Sequence, residues 1–213
     1  MVGRRLILCA ALATTATAVG GPRAGLVPKT WELDFEFYDP QRIEVTLPGD
    51  SIPTTFWYVV YRVTNRTGRD VVFTPSFRIV TDRLEEVVGG DGVTPGVYAA
   101  IKARHKKEFP FFANPSDVTG KLMQGTANAR TSAAVFRTFD TRAAGFRLFV
   151  SGLSGDIERV ANPVYKPDEP ESDTNPRFFL LRRTLELDYD LPGDPDTRKF
   201  AKPIRRNRQW VLR

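Results

Sequence analysis

The chain has 213 residues, with 31 Lys and Arg against 25 Asp and Glu, a formal charge of +6, and a single Cys and a single His. One thiol and one imidazole exclude a disulfide framework, an iron–sulfur cluster and a Cys/His zinc site. The 24 aromatic side chains (15 Phe, 6 Tyr and 3 Trp) supply the apolar volume for one sizeable core.

Residues 1–18 read as a secretory signal. Arg4 and Arg5 form a cationic start, Leu6 to Ala13 an apolar stretch, and Ala16-Thr17-Ala18 a small-residue cleavage site. Cleavage is expected after Ala18, with 19–30 as a linker. The apolar stretch is too short to span a bilayer and runs into Gly20-Gly21-Pro22, and no later segment approaches the roughly eighteen apolar residues of a span. Cys9 raises a lipid-attachment reading, yet Leu8 stands where that processing requires a small residue. Arg4-Arg5-Leu6-Ile7-Leu8 resembles the core of a twin-arginine signal, but the n-region is short and the paired bases of an ordinary signal are the simpler account. Export would remove two Arg, no acid and the only thiol, leaving a formal charge of +4 and a protein held by packing alone.

From Trp31 onward, period-two alternation and Gly/Pro/Asn/Asp punctuation predict strands. Trp31, Leu33, Phe35 and Phe37 alternate with acids up to Asp39-Pro40, and Ile43, Val45 and Leu47 form a second short strand. These two are expected to be neighbouring edge strands. Thr55 to Asn65 is apolar on both faces, so a central strand covered on two sides is expected. After the Asn65-Arg66-Thr67-Gly68-Arg69 turn, Val71 to Thr81 returns as a strand broken at Pro75.

One helix is predicted over Thr94 to Lys107, with Thr94 as cap, Pro95 at the first helical position, Val97, Ala100 and Ile101 on one face, and an end before Phe109-Pro110. Strands follow at Val118 to Gln124, Ala133 to Asp140 and Phe146 to Ser151. Residues 152–177 are expected to be an exposed Pro- and acid-rich loop. Phe178 to Tyr189 is the longest predicted strand, and Gln209 to Arg213 closes the sheet beside it.

Eight or nine strands, one short inserted helix and no βαβ alternation predict a mainly β protein, an antiparallel β-sandwich forming a single domain over 31–213. The phrase Tyr58-Val-Val-Tyr-Arg-Val-Thr-Asn65-Arg-Thr-Gly68, followed by Val71-Val-Phe-Thr-Pro75-Ser-Phe77, resembles the strand–turn–strand core of immunoglobulin-like domains in uncharacterised bacterial exported proteins. That resemblance implies an immunoglobulin-like sandwich and transfers no active site. The predicted helix departs from a plain immunoglobulin-like pattern.

Several residue groups invite chemistry and have a simpler structural explanation. His105, among Arg104, Lys106 and Lys107, is expected to lack a carboxylate to orient its ring, and any Ser–His–Asp triad would need it. Ser154 sits in Ser151-Gly-Leu-Ser-Gly155, which lacks the glycines of the G-x-S-x-G elbow and reads as a turn after a strand. Asp188, Asp190, Gly193, Asp194 and Asp196 are dense in oxygen ligands. Pro192 replaces an acid of a calcium loop, and Lys199 stands where the bidentate Glu belongs. Trp31, Trp57, Trp210, Tyr58, Tyr61 and Tyr98 could form a sugar-stacking platform, although core filling explains Trp57 and the strand tyrosines. Asn65-Arg66-Thr67 is a glycosylation sequon that the turn itself already explains.

Arg198, Lys199, Lys202, Arg205, Arg206, Arg208 and Arg213 place seven cations and no acid in the last sixteen residues, so the body over 19–197 carries −3. Such a tail could meet an anionic envelope polymer or membrane surface, while solvated charges flanking a last strand explain it without any partner. Export and the absence of a basic–aromatic groove signature elsewhere argue against nucleic acid. The sequence therefore predicts an exported, non-catalytic binding or structural module of the cell envelope. No catalytic, cofactor-binding or metal-ligating residues are assigned and no cofactor is expected, while the partner is an envelope protein or anionic polymer. A carbohydrate-active or metal-assisted hydrolase using loop carboxylates is the competing expectation.

Overall fold

The computed structural model describes residues 30–213; the signal reading over 1–18, Cys9 and the linker up to residue 29 lie outside the described residues. The described chain is mainly β, with antiparallel pairing in every named strand ladder.

The first sheet is built on β3 (Thr54–Thr64). Along one edge β3 pairs with β1 (Asp34–Phe37) through residues 61–64 and then with β2 (Gln41–Val45) through residues 54–58. Its other edge carries β8 (Arg130–Arg137). The first two predicted strands therefore do not pair with each other, because Asp39-Pro40 carries the chain from one half of β3 to the other. The second sheet has the order β6 (Glu86–Val88), β5 (Ser76–Thr81), β9 (Gly145–Ser151), β11 (Phe178–Asp190) and β12 (Ile204–Leu212), with β10 (Ile157–Ala161) continuing the line of β9 along β11. A two-stranded piece joins β4 (Val71–Phe73) to β7 (Gly120–Leu122).

The two faces of β3 serve two clusters. Trp57, Val59, Tyr61 and Val63 join Phe35, Ile79, Phe146, Leu148, Val150, Leu185, Leu187 and Tyr189 in a core drawn from both sheets. Within the second sheet, Ile79, Leu148 and Leu187 stand in one cross-strand row. Phe56, Tyr58 and Val60 point the other way, onto Val97 and Ile101 of helix α1 (Pro95–His105) and onto Phe112. The expected two-sided burial of this strand is observed. An 11-residue helix is marginal alone. Full burial of Val97 and Ile101, at about 1.5–3 kcal/mol each, anchors it here.

Several local expectations are corrected. Thr94 occupies the cap position, but its side-chain oxygen accepts no N–H from the first turn, and its buried hydroxyl has no partner among the described residues. A second short helix, α2 (Pro115–Val118), replaces the front of the strand expected over 118–124, because Asn114-Pro115 is itself a helix start. Twelve strands occur among the described residues, since the short β6 and the polar β10 escaped the alternation test and the 71–81 segment divides at Pro75 into β4 and β5. β10 lies inside the expected 152–177 loop, and its pairing with Phe178–Arg182 extends the second sheet as a two-stranded arm. The closing strand begins at Ile204, five residues before the expected start, because its exposed Arg-rich half shows no apolar period.

Candidate functional site

A cleft of about 1060 Å³ opens where β2 and the end of α1 face the 191–203 connection. Its floor begins with Trp57, which stacks on Phe139 with centroids 5.4 Å apart. Arg42 is the cross-strand partner of Trp57 and lays its guanidinium 4.3 Å from the ring centroid. The same guanidinium donates to the carbonyls of Arg198 (3.2 Å) and Ala201, pinning the short 3₁₀ turn Arg198–Phe200 against the first sheet. Partial burial lowers the Arg42 pKa from its ordinary value.

The wall formed by 191–203 is tied down locally. Leu191 N–H donates to the Ala144 carbonyl at 2.8 Å, and Arg198 donates to the Gly193 and Arg142 carbonyls at 2.9 and 2.8 Å. Asp194 accepts from the Thr197 hydroxyl and from the backbone of Asp196 and Thr197, and the Thr197 hydrogen bonds hold its carboxyl below the usual range. Lys199 and Lys202 project from this wall, with the Lys199 ammonium 5.1 Å from the exposed Phe200 ring.

On the opposite wall, Arg104 of α1 donates to the Arg42 carbonyl (2.8 Å) and to the Tyr58 hydroxyl (3.3 Å). That hydroxyl also meets Gln41 Oε1 at 2.8 Å and His105 Nε2 at 3.0 Å. His105 Nδ1 lies 3.4 Å from Glu108 Oε2, which corrects the expectation that the ring has no orienting carboxylate. The correction follows from helix ending: Glu108 comes three residues later and folds back over the last turn.

Arg42, Arg104, Arg198, Lys199 and Lys202 line the cleft, and none of them forms an ion pair among the described residues. The lining acids are Asp39, Glu44 and Asp140. Asp39 accepts from Tyr189 Oη at 3.0 Å and lies 3.6 Å from Arg205; burial and then the Asp39 charge push the Tyr189 pKa upward. The Arg142 side chain and backbone hold the Asp140 carboxyl at about 2, with Arg83 adding a further cation at 2.9 Å. The acids are thus largely neutralised by residues outside the cation set, and the cleft presents net positive charge.

The other residues singled out in the sequence lie elsewhere. Ser154 bridges to Glu32 and accepts the Asp156 N–H, so it shares no contact with His105. Asp188 lies within β11, Asp190 pairs with Arg206, and Asp194 is spent in its own turn; no group of three His, Cys, Asp or Glu that could hold a metal forms among the described residues. Trp57, Tyr58 and Tyr61 are buried, while Trp31, Trp210 and Tyr98 are half-buried against the two clusters. Asn65 is fully buried, its amide donating to the Arg69 and Leu122 carbonyls.

The basic tail divides in two. Arg198, Lys199 and Lys202 enter the cleft, and Arg205, Arg206, Arg208 and Arg213 belong to or flank β12. Sequence reasoning missed Gln41, Arg42, Arg104 and Phe139 as cleft residues. They come from separated segments, and no local pattern links them. No protein-family model matches the chain, and no curated protein or solved structure shows significant similarity to it.

Proposed function

We propose that this chain is an exported, non-catalytic binding module of the cell envelope, an immunoglobulin-like β-sandwich that holds an anionic polymer in the cleft between β2 and the 191–203 connection. One observation carries the reading: five cations without carboxylate partners among the described residues surround a concave surface with an aromatic floor. Cations converging on a low-dielectric concavity raise the local concentration of an anionic ligand. The secretory pattern of residues 1–18 supports a partner outside the cytoplasm. The hydrolase alternative requires an acid kept protonated at working pH, and the Asp140 carboxyl at about 2 does not favour it.

The test is retention of the protein on immobilised polygalacturonate against neutral dextran, at low and at about 0.5 M salt. Retention on the acidic matrix alone, lost at high salt and in Lys199→Glu/Lys202→Glu but kept in Arg69→Glu, is the expected result. Equal retention of the Lys199→Glu/Lys202→Glu variant would overturn the assignment to the cleft.

A further inference from the structure

The cleft does not end at Lys202. Beyond it the β1 edge of the first sheet faces the β12 edge of the second, and this seam carries more paired cations and rings. Arg205 and Arg208 lie 5.0 and 5.7 Å from the Phe37 ring centroid. Further along, Arg183 lies 4.3 Å over Trp210.

Three residues apart on a regular strand, Arg205 and Arg208 would project to opposite faces. They share a face because the ladder between β11 and β12 slips by one residue. Asp188 pairs with Asn207, whereas Tyr189 pairs with Arg205, so Arg206 is the extra residue. Arg205 opposite Tyr189, Arg208 opposite Leu187 and Trp210 opposite Leu185 thereby all stand on the core-facing side, along the seam. Arg206, displaced, pairs with Asp190 instead. From Arg205 to Trp210 the strand covers about 17 Å beyond the cleft. Arg208 has no ion pair among the described residues, and Arg205 shares Asp39 with the Tyr189 hydroxyl. At the far end Arg183 is buried and neutralised by Glu32 and Asp156, which closes the cationic track.

We infer that the seam formed by Arg205, Arg208 and Phe37 is a second binding segment continuous with the cleft, and that the ligand is a linear acidic polysaccharide running from Lys199 and Lys202 along β12. This rests on the proposed function and deepens it from an anionic polymer to a linear polysaccharide bearing carboxylates at intervals. The rings of Trp57, Phe37 and Trp210 already carry guanidinium groups, so they offer no open platform for stacked bases. What the track offers is guanidinium forks held beside an aromatic ring, which suit carboxylates bidentately.

The experiment is calorimetric titration of the protein with galacturonate oligomers of two and of eight units, and with oligothymidylate of matched charge. The octamer is expected to bind at least about tenfold more tightly than the dimer, the gain of one or two charge-assisted contacts. Arg208→Ser and Arg205→Ser/Arg208→Ser should each reduce the octamer-to-dimer affinity ratio, measured on the same variant, to about one, and Arg206→Ser should keep it. Thermal melting of each variant separates loss of binding from loss of folding. Dimer and octamer binding equally well to the wild type would overturn the seam while leaving the cleft reading standing, whereas no binding of either would overturn both. Oligothymidylate binding as tightly as the octamer would overturn the polysaccharide assignment.

Discussion

Arg183 offers a quantitative test of how the N-terminal edge is held. Its side chain is 3% exposed, paired with Glu32, 3.8 Å from Asp156 and stacked on Trp210. Its Nε is buried without a partner. Glu32→Ala leaves this guanidinium buried with Asp156 alone. Removing one partner of a buried pair costs about 3–5 kcal/mol. Glu32 is 31% exposed and Asp156 stays within reach, so the expected loss is about 2–3 kcal/mol. For a domain of this size that lowers the melting midpoint by about 5–10 °C. Arg183→Met keeps the bulk over Trp210 and removes the buried charge, while Asp156 retains the Thr30 N–H and hydroxyl as donors. It should cost less than about 1 kcal/mol, and Glu32→Ala/Arg183→Met should stay close to Arg183→Met rather than add the two losses. The assay is urea unfolding of the four proteins as a double-mutant cycle. Additive losses, or a Glu32→Ala loss below about 0.5 kcal/mol, would refute the buried-charge account.

Two further perturbations follow from local geometry. The Asp140 carboxyl is held at about 2, below its unfolded value near 4, so its contribution is complete above about pH 4 and disappears as pH falls through 2. Asp140→Asn should therefore be less stable than wild type at pH 7, with the gap closing toward pH 2 in denaturant titrations; a constant gap would contradict the ion-pair cause. Gly152 has φ +86°, and a Cβ there would collide with the Thr74 carbonyl oxygen. Gly152→Ala should lose about 2–4 kcal/mol in equilibrium unfolding, and a neutral result would contradict this close approach of the β9 end to the β4–β5 link.

How much of the fold could be read from sequence depended on whether a residue's surroundings are set by its neighbours in the chain. The two apolar faces of Thr54–Thr64, the break at Pro75, the helix start at Thr94-Pro95 and the long strand into Tyr189 are consequences of side-chain period and of φ restricted by proline, both local. β10 and the first half of β12 are polar and exposed, so hydrophobic alternation could not reveal them; backbone pairing to β11 makes them strands. Thr94 shows the converse: the residue type suits a cap and the position is right, yet its hydroxyl makes no capping bond.

Taken alone, the sequence determined that this is an antiparallel β protein with an aromatic core and one sizeable helix, because alternation and turn chemistry act within a few residues. It also placed a cluster of cations at the C-terminal end. Only the tertiary structure decided where those cations sit. Strand register brings Arg42 over Trp57, the pinned 191–203 connection places Lys199 and Lys202 in the cleft that Arg104 also lines, and one extra residue at Arg206 sets Arg205 and Arg208 on the same face. Register depends on which strands meet and where a ladder slips, so chain segments far apart in sequence converge only once both sheets have formed.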